Sequence, residues 1–382
     1  MYSINGYGDM ITDAVRMGAY ARALRQVVKP GTVVLDIGTG TGVFALLACR
    51  MGARRVYAIE SSDAIDLARE IARDNGCAGS IEFIQGLSTQ VELPERADVV
   101  VSDLRGALPF YGRHLPAIAD ARRRLMAPGG TLVARRDVMS VACVEAADLL
   151  RDTTRPWSHQ PLGFDMRAAL KLVTNQWRRV SVKREQMLSE AAGLGSIDYA
   201  TVETPNFAAT IVATASRRGT GHGMCAWFDA DVANGVGFSN APGEPELIYG
   251  QAFFPWPEPV DLECGDEITF GLRADLEGDD YSMSWSTAIV DGGGRSRRKA
   301  QFRQSSFFAA PLSPERIARL CATHVPQLND DGRVDILALE LMREGMSLDE
   351  IARRLARQFP ERFTRWEDAL TRAGELSARY GR

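Results

Sequence analysis

The 382-residue sequence predicts an α/β fold: a Rossmann-like, doubly wound parallel sheet, then an antiparallel β-barrel with an inserted arm, then a helical C-terminal domain of winged-helix type. Three observations carry this. First, Val33-Val34-Leu35-Asp36-Ile37 runs into Gly38-Thr39-Gly40-Thr41-Gly42 and an amphipathic stretch from Val43 to Met51, as a buried parallel strand does when it ends in a tight turn under a helix N-terminus. Second, strand-helix alternation persists to about Asp137 and then gives way to short alternating segments with dense glycine and proline. Third, the pattern turns helical after Pro311. The expected domains are 1–137, 138–310 and 311–382.

Taken in order, one helix is expected over 9–26, ending before Lys29-Pro30-Gly31. Strands follow at 33–37, 56–60, 81–84, 98–102 and 131–134, with helices at 43–51, 63–74 and 116–126 and a turn at Ala127-Pro128-Gly129-Gly130. Repeated βα units with short connections give a doubly wound sheet, and right-handed crossovers gather the strand carboxyl ends along one edge, where ligands bind. Thr210-Ile211-Val212-Ala213, Ala226-Trp227-Phe228 and the punctuated stretches 235–245 and 254–259 read as an antiparallel β domain, sandwich or barrel. An insertion from Trp157 to Glu190 has mixed helical character, at 166–172 and 185–192, and reads as an interaction arm. In the tail, Ser347-Leu348-Asp349-Glu350 is a capping box that opens one helix, and Trp366, Ala369, Leu370, Ala373 and Leu376 form one face of the next.

Composition narrows the function. The net charge of −4 gives no electrostatic case for nucleic acid. The basic runs Arg122-Arg123-Arg124 and Arg295-Ser296-Arg297-Arg298-Lys299 read as solvated charge, the second beside a hairpin tip at Asp291-Gly292-Gly293-Gly294. Six scattered cysteines without a Cys-x-x-Cys pair and four histidines without metal spacing imply reduced thiols and no structural metal. The absence of a targeting segment or a long apolar run points to the cytoplasm.

The glycine turn is spaced Gly-x-Gly-x-Gly, whereas a dinucleotide fingerprint would place its third glycine at Val43. This favours a smaller adenosyl ligand, S-adenosylmethionine, over NAD. Asp36 at the strand end suits a ligand ammonium. Glu60 closes the second strand and can accept both ribose hydroxyls; the plainer alternative is a cap for the helix opening at Ser61-Ser62.

These residues resemble the protein arginine methyltransferases over about 7–310. Met10-Ile11-x-Asp13-x-Val15-Arg16-x3-Tyr20 is similar to the family's cofactor-covering helix, which implies that Arg16 holds the methionine carboxylate. Val34 to Gly42 and Ala58-Ile59-Glu60-Ser61 are similar to its cofactor motifs, and 86–94 to its adenine-contacting turn, although that turn's glutamate is Thr89 here. The resemblance implies a cofactor site of Arg16, Asp36, Gly38, Thr39, Gly40, Gly42, Glu60, Ser61, Leu87, Ser88 and Asp103. His222-Gly223 with Trp227-Phe228-Asp229 resembles the barrel's signature strand. The arm stands where the family's dimerisation arm does, which implies a homodimer.

The catalytic loop departs from the family's pattern of two glutamates gripping a guanidinium. It reads Ser102-Asp103-Leu104-Arg105-Gly106 and onward to Gly112, so the first acid is shortened to Asp103 and the second is missing. The family's Thr-His-Trp loop becomes Leu247-Ile248-Tyr249, and the proline after the last Rossmann-like strand is Ala134. A guanidinium is a poor nucleophile unless carboxylates localise its charge and take its proton. A carboxylate, hydroxyl, thiol or amine acceptor fits the remaining groups as well, with Arg105 available to dock an anion and Asp103, then Asp13, Tyr7 and His114, as candidate bases. Residues 335–380 are similar to the PqqD family of winged-helix leader-peptide binders, through Ile336 to Met342, Gly345 to Phe359 and Trp366 to Leu376. That implies a ribosomally made peptide held by strand addition to a wing. The sequence thus points to methyl transfer onto a protein or peptide side chain. A small-molecule acceptor and a catalytically dead cofactor-binding scaffold are the alternatives.

Overall fold

The computed structural model describes residues 3–292 and 297–381. Gly293, Gly294, Arg295 and Ser296, and with them part of the second basic run, lie outside the described residues. The chain divides into a unit ending at Pro311 and a unit starting at Leu312.

The first unit opens with two helices, α1 (Ile4–Thr12) and α2 (Ala14–Val27), where one is expected from the sequence. The break is at Asp13, which leaves the helical region (φ −66°, ψ 89°) and accepts the Arg16 amide on its carboxylate, capping α2. The alternating region follows as β1 (Val33–Ile37), α3 (Val43–Arg50), β2 (Arg55–Glu60), α4 (Ala64–Asp74), β3 (Ile81–Gln85), β4 (Ala97–Ser102), α5 (His114–Arg124) and β5 (Met126–Val133). Its five strands are parallel in the order β3-β2-β1-β4-β5. The expected turn at 127–130 is not a break before β5. It is an excursion inside that strand, because Ala97 pairs with Met126 and Val99 already pairs with Thr131. Ile37 lies beside Ile59 on one side and Ser102 on the other. The strand order reverses there, so the glycine turn, Glu60 and Asp103 emerge side by side at the switch point.

Ten antiparallel strands follow: β6 (Arg136–Val144), β7 (Arg178–Val180), β8 (Ala192–Asp198), β9 (Phe207–Thr214), β10 (Gly219–Ala233), β11 (Val236–Ser239), β12 (Gln251–Leu262), β13 (Glu267–Glu277), β14 (Asp280–Val290) and β15 (Arg298–Ser305). They form one sheet in the order β7-β12-β10-β6-β8, with β11 on β10, and a second in the order β15-β14-β13-β9. The helical excursion starts earlier than expected, at α6 (Ala147–Ser158), and continues through α7 (Leu170–Val173). It also ends earlier. Residues 178–180 return to pair with β12, and Val182 and Leu188 are buried, so 178–190 belongs to the β core rather than the arm. The amphipathic reading of 185–192 is replaced by one short turn and the start of β8.

The second unit holds α8 (Pro314–Arg319), α9 (Asp330–Arg343), α10 (Leu348–Gln358) and α11 (Trp366–Tyr380). Ser347 and Glu350 form the expected capping box at α10. Val334, Ala338, Leu341, Ile351, Leu355, Ala369, Ala373 and Leu376 make its core. Among the described residues of this unit there is no strand, so the expected wing is absent. The links between helices, 320–329, 344–347 and 359–365, carry no strand. Strand addition of a leader peptide to a wing is therefore not available.

The basic runs are more engaged than solvated charge. Arg122 reaches the carbonyls of Tyr199 and Val202, Arg124 those of Ser88 and Val91, and Lys299 pairs with buried Asp266 at 2.5 Å. Among the described residues the six cysteines are free, no His/Cys/Asp/Glu group could hold a metal ion, and no helix is long and apolar enough to cross a membrane.

Candidate active site at the strand ends

The turn after β1 needs its glycines. Gly38, Gly40 and Gly42 take φ of +72°, +55° and +86°, a region that costs a side-chain-bearing residue free energy. Leu104 and the Tyr7 ring pack against Gly38 and Gly40 so closely that a β-carbon at either position would overlap them. Asp36 is buried beneath this turn. Its Oδ2 accepts from the Thr39 hydroxyl (2.6 Å) and the Ala45 amide (3.0 Å), while Oδ1 is buried without a partner. Burial raises its pKa to about 7 against the lowering effect of those two donors. Glu60 ties the edge together, Oε2 accepting from the Gly40 amide (3.0 Å) and Oε1 from the Ser62 amide (2.9 Å). Glu60 thus bridges the glycine turn and the Ser62 backbone just before α4. Gly86 donates its amide to the Glu60 carbonyl, bringing exposed Leu87 and buried Ser88 beside the same edge, with Ser61 exposed next to them.

On the other side of β1, four charged side chains alternate in the interior. Arg16 Nε donates to Asp103 Oδ2 (2.6 Å), Arg105 Nη1 to Asp103 Oδ1 (3.0 Å), and Arg105 Nε and Nη2 to Asp137 (2.7 and 3.0 Å). The side chains of Arg16, Asp103, Arg105 and Asp137 are 8, 2, 0 and 0 % exposed. Three tyrosines complete the network. Tyr249 donates to Asp103 Oδ2 (2.6 Å), Tyr20 accepts from Arg105 Nη1 (2.6 Å), and Tyr199 donates to Asp137 Oδ2 (2.5 Å). The Arg105 guanidinium also lies over the rings of Tyr199 and Phe228, at 5.4 and 5.8 Å.

This geometry corrects three sequence expectations. Arg105 is not an anion dock, since its donors are committed inside the protein. Asp13 is not poised as a base: Oδ1 caps α2 and Oδ2 accepts from the Ile248 amide (3.0 Å), clipping the N-terminal helices to the loop that presents Tyr249. His114 is not placed as a base either. It is 1 % accessible, at the start of α5, with Nε2 3.0 Å from the Tyr199 hydroxyl. Since Tyr199 gives its proton to Asp137, the histidine is the donor in that contact. Burial lowers its pKa to about 3, with a further push from Arg105. Tyr7, the remaining candidate base, is half-buried with its hydroxyl 3.5 Å from Ser62 Oγ, and burial raises its pKa. Asp103 itself is a weak base. Burial acts to raise its pKa, but the positive charges of Arg16 and Arg105 prevail and hold it at about 2.

Asp137 and Tyr199 are the residues that sequence reasoning missed. A signal for Asp137 exists: in β6 it shares the buried phase with Met139 and Val141, while Arg136 and Val138 are exposed. An aspartate in the inward phase of a strand needs a partner.

Comparison with known proteins matches this layout in two pieces. Residues 20–133 match the model of ribosomal protein L11 methyltransferase, and 135–288 that of the arginine methyltransferase oligomerization subdomain. Protein arginine N-methyltransferase 1 of Schizosaccharomyces pombe is 28 % identical over 268 residues, covering 68 % of this chain and 78 % of its own. The Saccharomyces cerevisiae protein of the same name is 26 % identical over 317 residues, covering 78 % and 90 %. This chain is an arginine-methyltransferase-like methyltransferase. Among solved structures, the Trypanosoma brucei arginine methyltransferase 1 enzyme–prozyme heterotetramer with S-adenosylhomocysteine shares the fold with a TM-score of 0.71 at 23 % identity, over 78 % of this chain and 97 % of that one. Arabidopsis thaliana protein arginine methyltransferase 10 gives 0.70 at 23 %, over 79 % and 97 %.

Two predictions follow from this methyltransferase's buried network. Asp137→Ala strands the Arg105 charge and should cost about 3–5 kcal/mol, whereas Arg105→Met combined with Asp137→Asn should cost much less. Urea midpoints of the three proteins measure this, and equal losses would contradict it. Separately, His114 is neutral when folded and charges below about pH 6.5 when unfolded. Its contribution is present above that value and lost as pH falls toward 3, at up to about 1.4 kcal/mol per unit. His114→Gln should flatten the stability curve between those limits, and an unchanged slope would contradict the assignment.

Proposed function

We propose that this methyltransferase uses S-adenosylmethionine to methylate a protein or peptide side chain other than arginine. The observation that carries the acceptor assignment is the saturation of Asp103 by the chain's own Arg16, Arg105 and Tyr249. A substrate guanidinium would have to displace a buried cation to reach that carboxylate, at the cost of leaving that cation unpaired. A second acid does not compensate. Gly112 occupies the loop position of the missing glutamate and takes φ +47°, a conformation that disfavours a glutamate.

The cofactor side fits. The glycine turn offers backbone amides at a helix N-terminus, and each Glu60 oxygen accepts one amide and keeps a lone pair for a ribose hydroxyl. Arg16 spends Nε on Asp103 and Tyr249 and Nη1 on Met10 and Met17. Among the described residues its Nη2 has no partner, and we assign that group to the methionine carboxylate. Asp36 orders the turn through Thr39 and Ala45, and Leu87 and Ser88 flank the adenine. When bound, the cofactor supplies an activated methyl group. The chain's part is to align an acceptor and exclude water.

Two partner assignments accompany this reading. Leu162, Phe164 and Met166 of the arm are exposed at 95, 66 and 40 %, and so are Ile4 and Ile11 of α1 and Val15 of α2. Apolar surface of this kind on an arm and on the N-terminal helices supports a homodimer, as does the match to an oligomerization subdomain. A leader peptide at 335–380 would be held by helix faces.

Incubation with labelled methyl donor and peptide libraries, followed by acid hydrolysis, tests the acceptor: label is expected outside arginine, and methylarginine as the main product would overturn the proposal. For the cofactor, Glu60→Ala should abolish binding in calorimetry while the unfolding free energy falls by about 1 kcal/mol or less. Unchanged affinity would show that the ribose lies elsewhere.

A further inference from the structure

Resting on that reading, we propose that the acceptor is a carboxylate, an acidic side chain or a peptide C-terminus, and that the product is a methyl ester. An amine, hydroxyl or thiol must lose a proton during or after methyl transfer, and among the described residues Asp103, Asp13 and His114 are not placed to receive it, while Tyr7 is a phenol beside Ser62 that burial keeps protonated. The Asp103 oxygens already accept three hydrogen bonds from two cations and a phenol. Asp13 spends both oxygens on backbone amides. His114 is sealed behind Tyr199, which itself donates to Asp137. A carboxylate is already deprotonated at neutral pH and needs no base.

Charge balance points the same way. Arg16 and Arg105 are offset by Asp103 and Asp137, so this cluster is neutral. Glu60 stands at the end of β2, across β1 from β4, and serves the ribose end. Two unpaired glutamates would stabilise a cationic acceptor next to the sulfonium; a neutral, buried cluster does not. It favours instead a reaction in which opposite charges vanish, because a low-dielectric surrounding destabilises separated ions more than neutral products. In the step itself, a carboxylate oxygen forms the O–CH3 bond as the S–CH3 bond breaks. The sulfonium's positive charge and the carboxylate's negative charge are both lost, S-adenosylhomocysteine leaves, and no proton moves.

The experiment uses the full chain, tritiated-methyl S-adenosylmethionine and two peptide libraries. One contains aspartate and glutamate. The other lacks both and has an amidated C-terminus. Label is expected on the acidic library alone, released as volatile methanol by mild alkali, with kcat/KM flat above about pH 8, clear of the Asp36 midpoint, because the acceptor ionises at about 4. Base-stable label on lysine, histidine or cysteine, or a rate rising toward pH 9, would overturn the ester while leaving the non-arginine reading intact. Methylarginine would overturn both. No transfer to acidic peptides would also overturn the ester.

Discussion

Four buried charges in alternating sign, Arg16, Asp103, Arg105 and Asp137, hold this site in its shape. Taking any one of them out of water is costly, and only the neighbours recover that cost, through short and mostly charge-assisted hydrogen bonds. The four come from α2, the loop after β4 and strand β6. The network therefore ties the N-terminal helices, the parallel sheet and the antiparallel domain to one another within the first unit. Asp13 adds a second tie to the Tyr249 loop through the Ile248 amide.

The same network decides what Asp103 can do. In a family that grips a guanidinium with two acids, the carboxylates must be free to receive a cation. Here an internal cation already sits there, held on its other side by Asp137 and Tyr199. On the proposed reading, the sheet edge, the glycine turn and Glu60 serve the cofactor, and a neutral cluster stands at the acceptor end in place of an acid pair. Methyl transfer tolerates such a change, since the donor is already activated and the protein's main task is alignment.

Much of the fold was legible because its signals are local. An apolar run into spaced glycines, an acid closing the next strand and a capping box each lie within a few residues of one another. The charge network was not, because its partners lie far apart: Arg105 meets Asp137 32 residues later, and Tyr249 meets Asp103 across 146. Read alone, Arg105 is a loop charge; only the inward phase of Asp137 in β6 hinted otherwise. The break between α1 and α2 was likewise foreshadowed by Asp13, a capping residue inside an amphipathic run. The wing failed for a different reason. Helix periodicity and a capping box identify helices but say nothing about a hairpin, and the links between these helices contain no strand.

On this reading Asp103 is a structural anion rather than a base, and its own titration decides the matter. Carbon-13 NMR of aspartate-labelled protein, with the resonance assigned by its loss in Asp103→Asn, reads the carboxyl group between pH 7 and 4. The structure requires it to remain ionised throughout, consistent with a pKa of about 2. A midpoint at or above the ordinary aspartate value of about 3.9 would contradict the account.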